Sequence, residues 1–102
     1  MKPPELVAEY IDDEILHKYV DGQTSAEKVY EIILDESINF IEGLVSGSED
    51  EEKILISCYC AIGSNKETII DYITDVWLWY EEEEWKLKRL KQLAMVLEDV
   101  VF

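Results

Sequence analysis

Residues 24–42 (TSAEKVYEIILDESINFIE) are echoed forty positions later by residues 64–82 (SNKETIIDYITDVWLWYEE), which points to one helical unit used twice in a short chain. Thr24 and Ser64 are each followed three residues on by a glutamate, Glu27 and Glu67, and both read as capping boxes at a helix start. Behind these starts Val29 answers Ile69, Glu31 answers Asp71, Ile33 answers Ile73, Asp35 answers Asp75, Ile38 answers Leu78, Phe40 answers Tyr80 and Glu42 answers Glu82. Upstream, Asp12, Asp13, Ile15 and Leu16 fall on Glu51, Glu52, Ile54 and Leu55 once one residue is inserted near Gly63, and loops accept insertions cheaply. The pattern predicts an all-α fold: a compact bundle of about five helices, built from two degenerate helical-hairpin repeats packed as a pseudo-symmetric pair.

A chain of 102 residues makes one domain and buries roughly 60 to 70% of its unfolded surface. With 48% hydrophobic and 11% aromatic residues it is too apolar for disorder, despite a formal charge of −15. The start, MKPPELVAEY, has no uninterrupted apolar stretch, and no run approaches the length of a membrane span, so a soluble intracellular protein is expected. Charge is uneven: residues 1–85 hold five basic and twenty-two acidic side chains, whereas residues 86–102 hold four basic and two acidic. Such a field disfavours nucleic acid and favours basic surfaces.

Within the domain, repeat 1 is expected at about 4–45, a linker at 46–48 (SGS), repeat 2 at about 49–83 and a C-terminal helix at about 85–102. The first helix is expected from Pro4 to Val20 on the stripe Val7, Ile11, Ile15 and Tyr19, with Gly22 ending it. The second carries two stripes, one of Val29, Ile33, Phe40 and Leu44, the other of Tyr30, Leu34, Ile38, Ile41 and Val45, which implies two neighbours. Residues 54–62 (ILISCYCAI) read as helix, with a buried strand as the alternative. From Asn65 the seam Ile69, Ile73, Val76 and Tyr80 resumes as Leu87, Leu90, Ala94, Leu97 and Val101, with a bend near Glu83 expected and one continuous helix as the alternative.

Nothing in the chain has the spacing of a catalytic or metal centre. His17 is the single histidine and has no nucleophile at a triad spacing, so no enzyme is expected. Cys58 and Cys60 lack a second ligand pair for zinc and read as reduced thiols. The acidic runs at 49–52 and 81–84 lack the grammar of a calcium loop. No cofactor is implied.

The cluster Trp77, Leu78, Trp79 and Tyr80, with Trp85 after the glutamates, exceeds ordinary core duty, because four consecutive large side chains cannot all face one core. Trp79 shares a face with Tyr72, Asp75, Glu82 and Lys86, so Trp79 and Tyr72 are expected as an exposed aromatic patch. The first copy answers Trp77 and Trp79 with Ser37 and Asn39, which would leave a groove between the repeats, rimmed by Glu81, Glu82, Glu83 and Glu84. Such a groove suits an apolar or basic segment of a partner protein, without membrane or direct nucleic-acid contact. The alternatives are that these aromatics are all core or homodimer contacts, that the protein is an acidic decoy blocking a nucleic-acid site of another protein, and that a basic face around Arg89 touches nucleic acid.

Runs such as EIILDE, ETIIDYI and EEEEW, with only two Gln and two Asn in 102 residues, resemble the small orphan proteins of filamentous viruses of hyperthermophilic archaea, the lipothrixviruses typified by Acidianus filamentous virus. The resemblance implies a role in the host-cell cytoplasm or with the virion and carries no site residues.

Overall fold

A computed structural model describes residues 2–19, 21 and 23–102, without the side chains of residues 77–79. Among the described residues the chain forms five helices and no strand. Helix α1 runs as one rod in three parts, Pro3–Tyr10, a π-helical stretch Ile11–Leu16, and His17–Tyr19. Helices α2 (Ala26–Val45), α3 (Glu51–Ser64), α4 (Lys66–Trp79) and α5 (Glu83–Met95) follow. The radius of gyration is 13.1 Å, matching the roughly 13 Å of a compact chain this long.

Local chemistry explains the element ends. Two prolines start α1, where a missing N–H costs nothing. Asp21 Oδ1 accepts from the backbone N–H groups of Gln23 and Thr24 at 2.8 and 3.0 Å and folds the chain back before α2. Gly47, at φ +86°, takes the left-handed conformation that closes α2, and Ser48 N–H donates to the Val45 carbonyl at 3.0 Å. The expected flexible joint at 46–48 is therefore a tight turn. Residues 54–62 are helical throughout, and the break near Glu83 is real: Glu82 is extended and precedes α5 with no side-chain cap bond.

Three expectations fail here. The cap of α2 is Ser25, whose Oγ accepts from Lys28 N–H at 3.1 Å, because Thr24 is held by Asp21; its hydroxyl lies 3.4 Å from that carboxylate. Ser64 caps nothing; it ends α3, and Asn65 leads into α4 with no side-chain cap bond. The matched capping boxes are thus absent. The C-terminal helix stops at Met95, and its buried seam runs through Arg89, Leu93 and Leu97, while Leu87 and Val101 lie exposed. The expected helix end at Val20 and the stop at Gly22 fall outside the described residues.

Helix α2 is the central element. Its buried line is Val29, Ile33, Ser37, Ile41 and Val45, a strict i, i+4 stripe that passes through a serine, with Tyr30 beside it. Phe40 is half-buried and stacks on Tyr10 at 4.4 Å between ring centroids, whereas Leu44 is exposed. Helices α3 and α4 each pack along α2 more than along each other, whereas α1 and α2 pack directly. The two hairpins therefore differ in packing as well as in caps, and the pseudo-symmetric pairing gains no support from the contacts. Helix α5 lies along α1 and touches α4 little. Anchored to different partners, α4 and α5 diverge from the turn that joins them.

Candidate functional site

The divergence of α4 and α5 opens a groove of about 560 Å³. Each helix contributes one stripe at helical spacing. On α4 and its cap these are Asn65, Thr68, Ile69, Tyr72, Asp75 and Val76, with Asp71 alongside. Beginning on α5 and continuing past its end, the other stripe is Trp85, Arg89, Gln92, Leu93 and Val96, with Met95 at its lip. The stretch from Asn65 to Val76 spans about 16 Å, or three helical turns. Buried Ile69, Val76 and Leu93 make the groove apolar at depth. Exposed Asp71 and Asp75, four residues apart on α4, make one rim acidic, whereas Gln92 and Met95 leave the other uncharged.

The wall formed by α5 is fixed by a buried polar cluster. Arg89 Nε donates to Asp12 Oδ1 at 2.8 Å, with the two side chains 4% and 1% exposed. The Arg89 guanidinium lies over the Tyr80 ring at 4.5 Å. Tyr80 OH donates at 3.1 Å to the Asp12 carbonyl, which also accepts the i+5 N–H of His17. A π turn leaves that carbonyl in place for both donors, and π turns frequently sit at functional positions. Lys86 Nζ adds a half-exposed pair with Asp13 at 3.7 Å. Burial, followed by the nearby Asp12 charge, pushes the Tyr80 hydroxyl up to about 12, while Arg89 acts in the opposite sense.

Tyr72 lines the groove and ends in a buried hydroxyl. That hydroxyl is buried and has no hydrogen-bond partner among the described groups. Burial first and the Asp12 charge second raise its pKa strongly, so it stays neutral. Tyr72 is therefore half-buried floor instead of the exposed patch expected from its polar neighbours.

The structure brings Tyr72 and Trp85 together on one groove and separates them from the other expected residues. Ser37 is fully buried in the line that α2 packs inward, so it cannot wall an open site. Asn39 is exposed on α2, away from the groove. The side chains of Trp77 and Trp79 lie outside the described residues. Glu81, Glu82, Glu83 and Glu84 are exposed at the α4–α5 turn and the start of α5, where acidic residues suit the helix dipole, and none lines the groove. Asp71 and Asp75 supply the acidic rim in their place. Arg89, expected as the centre of a basic face, is buried against Asp12, which removes it from any nucleic-acid contact.

Elsewhere, burial pushes the Cys58 thiol up to about 11, while Cys60 is exposed and free. Exposed His17 tilts against Tyr80 at 5.8 Å between ring centroids. Among the described residues no three His, Cys, Asp or Glu side chains are grouped to hold a metal ion. No described helix is long and apolar enough to cross a membrane. Sequence reasoning missed the Asp12–Arg89 pair. Its signal was present: Asp12 stands four residues from Ala8 and from Leu16, and Arg89 four from Trp85 and from Leu93, so each apolar line contains one charge of opposite sign. No protein-family model matches the chain, and no curated protein or solved structure is significantly similar to it.

Proposed function

We propose that the protein is a non-enzymatic interaction module that seats a basic, amphipathic helical segment of a partner protein in the α4–α5 groove. The observation that carries this reading is the groove itself. It runs for about three helical turns along α4 and is apolar at depth, with two carboxylates four residues apart along one rim. Apolar side chains of a docked helix would cover Ile69, Val76 and Leu93, and lysines or arginines four residues apart would meet Asp71 and Asp75. The overall charge of −15 steers a basic segment toward the molecule and discourages acidic ones.

The test is a fluorescence titration with a short leucine–lysine amphipathic peptide. Saturable binding is expected, weakened about tenfold by Asp71→Asn with Asp75→Asn and abolished when serine replaces leucine in the peptide. Binding indifferent to the serine replacement and lost steeply with salt would instead favour the acidic decoy, acting through the exposed glutamates near residues 49–52 and 81–84. Absence of any binding contradicts the reading.

A further inference from the structure

We propose that the docked segment does not end in the α4–α5 groove but straddles α5, passing over Met95 into a second cleft on the other side of that helix. This rests on the reading of the groove as a docking site and extends its footprint. The second cleft, of about 500 Å³, lies between the start of α1 and the end of α5. It repeats the plan of the groove. Half-buried Pro4, Leu90 and Ala94 give it an apolar lining, and the wall opposite α5 carries Glu5 and Glu9, one helical turn apart on α1 as Asp71 and Asp75 are on α4. Each side of α5 thus has an apolar hollow with a carboxylate pair of the same spacing on its opposite wall.

Met95 makes the two hollows continuous, because it lines both and is 58% exposed. The rest of that ridge is charged with both signs: Glu84, Lys88 and Lys91 precede Met95 on it at helical spacing, all exposed. Met95 is therefore the apolar crossing point. An α-helix is about 10–12 Å wide with its side chains, so crossing α5 takes about four extended residues. In the second cleft Glu98 adds a third carboxylate, while Lys2 and Lys91 add two ammonium groups. Among the described residues neither lysine pairs with a carboxylate of the cleft, whose balance stays negative. A cation of the segment is drawn to Glu5 and Glu9, though less than to Asp71 and Asp75, since the groove's Arg89 is already committed to Asp12. The occupant is thus a segment with two short basic amphipathic stretches joined by about four uncharged residues. With both arms on one chain the second contact forms at millimolar effective concentration, so a second arm of about 0.1 mM affinity tightens binding about tenfold.

The test is a fluorescence titration at physiological ionic strength with three probes: the leucine–lysine peptide, a tandem of two such stretches joined by a Gly-Ser-Gly-Ser linker, and the same tandem with serine for leucine in its second stretch. The last has the full charge without the second apolar face. The tandem is expected to bind one per chain and about tenfold more tightly than this control. Glu5→Gln with Glu9→Gln, its helicity checked by circular dichroism, is expected to remove most of that gain and to leave the affinity of the single peptide unchanged. In the wild type, amide chemical shifts of residues 2–9 are expected to move with the tandem and not with the control, which gives the same answer without a substitution. A tandem no tighter than the control, a gain untouched by the two glutamine substitutions, silent residues 2–9, or one tandem bridging two chains overturns the proposal. Single-peptide binding without a tandem gain sinks the second arm and leaves the groove standing, whereas no binding by any probe sinks both.

Discussion

Arg89 on α5 and Asp12 in the π-helical stretch of α1 form an ion pair with 2.8 Å between Nε and Oδ1, closed off from solvent on both sides. The pair joins the last helix to the first across 77 residues of sequence and sets the α5 wall of the groove. A buried pair contributes little net stability against an apolar equivalent, but breaking one side is expensive. Arg89→Met is therefore expected to destabilise by about 3–5 kcal/mol, with most of the loss recovered in Asp12→Leu plus Arg89→Met. Chemical denaturation of the single and double variants measures both. Additive losses would show that the two residues act independently.

The Tyr72 hydroxyl behaves in the opposite way. It is buried without a hydrogen-bond partner among the described groups, so its removal forfeits no protein bond. Tyr72→Phe is expected to leave stability unchanged or raise it by about 1 kcal/mol. A drop of that size in a urea melt would mean that the hydroxyl is bonded in solution.

Gly43 and Gly47 should respond to the same change with opposite signs. A methyl group meets nothing within 4 Å at either position, which leaves the backbone to decide. Gly43 lies within α2, where alanine gains about 0.5–1 kcal/mol. Gly47 sits at φ +86°, where alanine costs about 1–2 kcal/mol. Thermal melts of the two variants on either side of the wild type are the expected result; equal shifts would refute the left-handed turn.

Asp21 makes stability depend on pH. Its carboxyl lies below the ordinary carboxylate value, chiefly through the Thr24 N–H and then the Gln23 N–H. A group lowered in the folded state stabilises above its unfolded value and loses that contribution as pH falls through the folded value. The melting-temperature gap between wild type and Asp21→Ala is expected to be full at neutral pH and to close below about pH 4. A gap that persists unchanged in acid would remove Asp21 from the turn.

Helix count, the helical state of residues 54–62 and the break near Glu83 were legible because periodicity, length and the local acidic start agree there. The caps were misread by one residue at Ser25, because Asp21 competes for Thr24 through hydrogen bonds that no spacing rule includes. The groove expected between the repeats is not the one between α4 and α5, and the two share only Tyr72 and Trp85 among the described side chains. Tyr72 and Trp85 were identified as chemistry beyond the core, but the partner wall depends on how far α4 and α5 diverge, which follows from α5 docking on α1. Ser37 misled for a related reason: its polarity suggested a surface, whereas its position in the line Val29, Ile33, Ile41 and Val45 buries it.

The groove is tested most directly by backbone amide chemical shifts recorded while the leucine–lysine peptide is added. Changes are expected on the stripe of residues 65–76 and on residues 85–96, with Asp71, Tyr72, Asp75 and Trp85 among the largest. Changes confined to residues 49–52 and 81–84, with both stripes silent, would contradict a docking site between α4 and α5.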